Sequence, residues 1–122
     1  MMNVGILTVS DRCAAGIAAD KSGPTIAEVL TAEQYAITHA AIVPDELDEI
    51  AAILKEWSAS CNLILTTGGT GLAPRDVTPE ATASVIDKQA PGFSELLRAS
   101  GYQINRRAIL SRGICGIAGR CL

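Results

Sequence analysis

Three short apolar runs, each cut off by polar or glycine-rich residues, constrain this chain more than any other feature. They are NVGILTV at 3–9, YAITHAAIV at 35–43 and NLILTT at 62–67. The first is closed by Ser10-Asp11-Arg12, the second by Pro44 and the third by Gly68-Gly69. Runs of this length with such punctuation predict buried strands. Between them the period changes. Pro24 sits where a first helical turn would begin, and TIAEVL continues it. Leu47, Ile50, Leu54 and Trp57 recur at helical spacing, with Ala51 in the same stripe. Asp45 is placed to cap that helix, and Glu46, Asp48 and Glu49 put negative charge at its positive end. Strands alternating with helices make an α/β three-layer sandwich with a mostly parallel sheet.

Further along, Thr78 as an N-cap and Pro79 in the first turn predict a helix over PEATASVIDK. GFSELLRAS and RRAILSR carry weaker helical patterns, and GICGIAGRCL reads as extended chain with a Gly-rich turn. Parallel strands all open onto one edge at their C-terminal ends, and ligands bind there. Ser10-Asp11-Arg12, Pro44-Asp45 and the segment 68–76 therefore share one rim.

With 122 residues, 48% apolar and 19% charged, the chain is expected to form a single domain over 1–122 with a sizeable core. A net charge of −3 and 3% aromatic residues argue against nucleic acid and anionic membranes as partners. No apolar stretch nears the roughly 18 residues of a membrane span, and no signal-peptide pattern opens the chain, so the cytoplasm is the default location. Cys13, Cys61, Cys115 and Cys121 lack C-x-x-C spacing and read as small apolar residues. His39, the one histidine, reads as a strand residue.

The functional signal lies in LILTTGGTGLAPRDVTPEAT, residues 63–82. Gly68, Gly69 and Gly71 allow backbone amides close to a ligand, and Thr66, Thr67 and Thr70 add hydroxyls, an arrangement that suits phosphate. The loop matches neither the P-loop nor the dinucleotide-binding fingerprint, and alone it is also a tight turn. Asp76 lies just beyond it and Asp45 at the neighbouring strand end. Capping explains Asp45 and a pair with Arg75 explains Asp76, if each is taken alone. Their arrival on one rim favours function. Two acids beside a phosphate site call for a divalent cation, and Mg²⁺ binds through one or two carboxylates plus substrate phosphates. Arg12, Arg75 and Arg112 either meet anionic groups or form surface salt bridges.

GILTVSDR (5–12), DKSGP (20–24), VPDE (43–46), TTGGTGLAPRDVTPEAT (66–82), APGF (90–93) and ILSR (109–112) together resemble the molybdopterin adenylyltransferases, the Mog proteins and gephyrin G domains. The resemblance implies a Mog-like α/β fold, a homotrimer and a possible molybdenum-insertion partner protein. It also implies transfer of AMP from Mg-ATP to the terminal phosphate of molybdopterin, with release of pyrophosphate. By position, Asp45 and Asp76 correspond to the family's essential acids and are assigned to Mg²⁺ and to positioning the reacting phosphates. Gly68, Gly69, Thr70 and Gly71 become the phosphate and pterin cradle, and Ser10, Asp11, Thr78 and Ser111 polar contacts, Asp11 and Thr78 serving equally to hold the loops. A binding or scaffold module of the same fold is the alternative. The family normally runs on past a GIRGKTL-like segment into a strand, a ligand loop and a helix, whereas GIAGRCL stops at Leu122. A shortened chain with an open sheet edge and reduced stability is the expectation.

Overall fold

The computed structural model describes residues 1–122. Its central sheet is parallel, in the order β2-β1-β3, from β1 (Met2–Val9), β2 (Tyr35–Val43) and β3 (Leu63–Thr67). The helices are α1 (Asp11–Ala14), α2 (Ser22–Val29), α3 (Leu47–Ser58), α4 (Thr78–Val85) and α5 (Pro91–Ile104), followed by a 3₁₀ turn over Arg106–Leu110. A separate antiparallel pair joins β4 (Lys88–Gln89) to β5 (Gly116–Ile117).

β1 is central because both of its faces are apolar. Leu7 and Val9 on one face pack in a core with Val43, Ile50, Leu54, Trp57 and Ala81, so α3 and α4 cover that side. Gly5 shares this face, and a Cβ there would lie 2.7 Å from a Trp57 ring carbon, so the indole rests directly on the strand. Val4, Ile6 and Thr8 are buried on the opposite face. There the Thr8 hydroxyl donates to Asp20 Oδ2 at 2.9 Å, and Asp20 Oδ1 accepts from the Gly23 amide at 3.1 Å. α2 and its leading loop are thereby pinned to the second face, which completes the helix–sheet–helix layering expected from the alternating pattern.

Several element limits differ from those expected. α3 starts at Leu47 with Glu46 at the cap position and no side-chain cap bond, so Asp45 does not cap it. Thr78 is the first residue of α4 rather than its cap, a position held by Val77. That helix stops at Val85 because Ile86 is extended and the Asp87 amide donates to Ile117, which starts the β4–β5 pair. Ser10 caps the single helical turn of α1 that follows β1. His39 lies within β2, its ring centroid 5.2 Å from that of Trp57. Cys61 and Cys121 are buried, Cys13 and Cys115 half-buried, and all four are free thiols.

Leu122 lies along the outer edge of β3, donating to Asn62 at 3.0 Å and accepting from Ile64 at 2.9 Å. Beside that edge runs a groove of about 590 Å³ whose walls include Leu54, Leu63, Leu65, Phe93 and Leu97. No helix is long and apolar enough to cross a membrane.

Candidate active site

The three parallel strands end side by side. The Ser10 amide, just past β1, donates to Val43 at the end of β2 at 2.9 Å. One residue further, the two loops hold each other: the Asp11 amide donates to Asp45 Oδ2, and the Asp45 amide donates to Asp11 Oδ1, both at 2.9 Å. The carboxylate of Asp45 is thus committed to the β1 loop and not to α3. Its Oδ1 makes no hydrogen bond within the chain and stands against Gly69, 3.0 Å from where a Cβ would be.

The third strand delivers the glycine loop. Gly68 and Gly69 have φ of 94° and 68°, a region that side chains other than hydrogen occupy at a cost. Thr78, almost wholly buried, fixes their direction: its hydroxyl donates to the Gly68 carbonyl at 2.9 Å and its amide to the Gly69 carbonyl at 3.1 Å. With those carbonyls held against the start of α4, the amides of Gly69, Thr70 and Gly71 donate to nothing in the chain. Successive unpaired amides of this kind form an anion cradle.

Asp76 closes the loop. Its Oδ2 accepts from the Ala73 amide at 3.0 Å and lies 2.8 Å from a Cβ position on Gly71, while its Oδ1 has no partner in the chain. Arg75 does not pair with Asp76. It reaches across to Asp11, with Nε–Oδ2 at 2.6 Å, and to Glu46 at 2.9 Å. The two aspartates therefore flank the free amides, one against Gly69 and the other against Gly71, each with an oxygen to spare.

The other expected contacts have structural work. Ser10 Oγ accepts from the Cys13 amide at 3.2 Å, and Ser111 Oγ accepts from the Gly113 amide at 3.3 Å. Asp11 and Thr78 hold loops, one of the two roles foreseen for them. Arg12 is exposed, and Arg112 pairs with Glu80 at 2.6 Å. Sequence reasoning missed Glu46 as the second partner of Arg75, a contact between residues 29 apart with no local signature.

Around the loop, Asp11 and Glu46 pair with Arg75 and Glu80 pairs with Arg112, while Asp45 and Asp76 form no salt bridge. A phosphate seated on the amides would meet unneutralised carboxylate charge. No three His, Cys, Asp or Glu side chains cluster into a complete metal cage. One free oxygen from each flanking aspartate, supplemented by phosphate and water oxygens, does fit the way Mg²⁺ is bound beside phosphates.

The ion pairs also set an acid response. Hydrogen bonding to Arg75, helped by the Asp45 amide, holds the Asp11 carboxyl below the usual carboxylate range, and Arg112 does the same to Glu80. Carboxyls with depressed folded-state pKa values stabilise the fold fully above about pH 4 and lose that contribution as pH falls through the depressed values. The Tm is expected to fall on acidification below about pH 4, and more gently in an Asp11→Asn/Glu80→Gln double variant. Both pairs are solvent-exposed, so added salt should narrow the difference. Parallel pH–Tm curves for the two proteins would refute the assignment.

Residues 5–121 match the family model described as a probable molybdopterin binding domain. The chain is 44% identical over 122 residues to the molybdenum cofactor synthesis protein cinnamon of Drosophila melanogaster, covering 97% of this chain and 20% of that protein. It is 42% identical over 127 residues to the molybdopterin adenylyltransferase of Helicobacter pylori J99, covering 99% and 71%. Among solved structures, the molybdopterin biosynthesis enzyme MoaB of Thermus thermophilus superposes with a TM-score of 0.93 at 45% identity, covering 100% of this chain and 78% of that one. The Mog protein of Mycobacterium ulcerans gives 0.91 at 36%, covering 100% and 80%.

Proposed function

Because this chain belongs to the family of probable molybdopterin binding domains, we propose that it transfers AMP from Mg-ATP to the terminal phosphate of molybdopterin, releasing pyrophosphate, in molybdenum cofactor biosynthesis. The observation that carries the reading is the run of free amides at Gly69, Thr70 and Gly71, bracketed by Asp45 and Asp76. Relatives named molybdopterin adenylyltransferase support it at 41–42% identity.

In this reading an oxygen of the molybdopterin phosphate attacks the α-phosphorus of ATP, and the bond to the β-phosphate oxygen breaks. The nucleophile is part of the substrate, so the protein needs no activated serine or cysteine. The Ser10 and Ser111 hydroxyls already accept backbone bonds, and the Thr78 hydroxyl donates to Gly68. The chain's tasks are to seat phosphate oxygens on the amides and to hold two carboxylates at fixed places beside them. Mg²⁺ held by Asp45 and Asp76 supplies neutralisation of phosphate charge. Homotrimer assembly and a molybdenum-inserting partner protein belong to the same proposal, and exposed Leu96, Leu97, Ile104 and Ile109 offer apolar surface for an assembly to cover.

The test is pyrophosphate release from Mg-ATP with and without molybdopterin. Release that depends on both substrates is expected. Pterin binding without AMP transfer would replace the enzyme reading with that of a binding module.

A further inference from the structure

We propose that Arg112 is a positioning residue for Asp76: one guanidinium braces both ends of the 71–76 loop and so sets where that carboxylate stands. The proposal rests on the adenylyl-transfer reading above.

Within the loop, Asp76 is fixed only to its own turn. Its amide donates to the Ala73 carbonyl at 2.9 Å and its Oδ2 accepts from the Ala73 amide at 3.0 Å, bonds that travel with the loop. Arg112 supplies anchorage from outside. Nε donates to the Gly71 carbonyl at 2.8 Å and Nη2 to the Asp76 carbonyl at 2.8 Å, while Nη1 pairs with Glu80 in the first turn of α4. Its own amide donates to the Thr70 carbonyl at 2.8 Å. The side chain thus spans the cradle, the second carboxylate and the helix behind them.

The anchor is itself held. Arg98 of α5 donates through Nη1 to the Gly113 carbonyl at 2.7 Å and to that of Ser111 at 3.4 Å. Two arginines in series therefore connect α5 to the glycine loop. Arg112 has no role as a phosphate ligand here: Glu80 offsets its charge, and all three guanidinium nitrogens are in use. Lysine cannot replace it, because an ammonium on a flexible stem cannot serve two carbonyls five residues apart and a carboxylate together.

The proposal is tested with Arg112→Ala, Arg112→Lys and Asp76→Asn in two assays. The first is pyrophosphate release across Mg²⁺ concentrations; the second is amide hydrogen exchange. Arg112→Ala is expected to lower kcat by at least about 10-fold, since small misplacements of reacting groups cost up to about 100-fold. It should also raise the Mg²⁺ needed for half-maximal rate, with the KM for ATP held within about threefold. Exchange of the Ala73 and Asp76 amides, the two in the loop that are hydrogen-bonded, should quicken at least about 10-fold while β1 and α3 keep their protection. Arg112→Lys should stay impaired, and millimolar methylguanidinium should restore part of the alanine variant's rate.

Wild-type kcat and exchange in Arg112→Ala would overturn the proposal, leaving an ordinary surface pair. Exchange that rises equally in β1 would also overturn it, by making Arg112 a general fold residue. If Arg112→Ala does not fold, Arg112→Lys decides by the same readouts. Should the parent release no pyrophosphate, the reaction reading fails, and the exchange pattern still decides whether Arg112 braces the loop.

Discussion

Asp76→Asn is expected to slow pyrophosphate release from Mg-ATP and molybdopterin by at least about 10²-fold, the scale seen when one preorganised electrostatic contact is removed from a reacting centre. Its circular dichroism spectrum and Tm should stay close to the parent's. The asparagine carbonyl can still accept from the Ala73 amide as Asp76 Oδ2 does, so the turn survives. What changes is the unpartnered Oδ1, on the far side of the carboxylate from Gly71, which becomes an amide NH₂ that cannot ligate a cation. Asp45→Asn makes the same exchange on the other flank, keeping an acceptor for the Asp11 amide and losing the oxygen beside Gly69. Both variants should need more Mg²⁺ for any residual rate. A rate within about twofold of the parent in either one removes that aspartate from the metal assignment.

The second large effect concerns stability. Gly68→Ala places a Cβ into the Val9 main-chain carbonyl at a φ of 94°, so it meets a backbone clash and an unfavourable conformation together. A left-handed non-glycine residue costs about 1–2 kcal/mol, and a clash that makes packed structure shift costs about 1–3 more. A loss of roughly 2–5 kcal/mol would take a large share of the stability of a small domain. With urea slopes of about 1–3 kcal/mol/M, the unfolding midpoint should drop by about 1 M or more. Gly16→Ala is the comparison: φ is 74° there, but nothing lies within 4 Å of the new methyl group, so only the smaller conformational cost applies. Equal midpoints for the two variants would mean that the loop relaxes freely away from β1.

Much of this arrangement is legible in the residues, because local chemistry specifies it. The apolar runs ending at Val9, Val43 and Thr67 announce three strands, and a parallel sheet puts their following residues on one rim. The helical stripe of Ile50, Leu54 and Trp57 is the buried face of α3. The errors arise where distant residues compete for the same group. Asp45 looks like a helix cap by sequence, but the Asp11 amide, 34 positions away, takes its carboxylate. Thr78 looks like a cap as well, yet its hydroxyl goes to the Gly68 carbonyl. Arg75 and Asp76 are neighbours in the chain, but their side chains bond elsewhere. IDK continues a helical composition and still leaves α4, because the Ile117 carbonyl captures the Asp87 amide. Contacts of this range have no periodic signature.

The crossed bonds between Asp11 and Asp45 limit how this rim can evolve. Each side chain completes the other residue's main chain, so a change at one position to a residue with no side-chain acceptor leaves the opposite amide stranded, at about 1–3 kcal/mol where water cannot replace the lost acceptor. Single-step routes to such residues pass through that less stable intermediate. Beyond side chains that keep an acceptor, the two sites are therefore free to diverge only in concert, and the ends of the first two strands behave as one heritable unit.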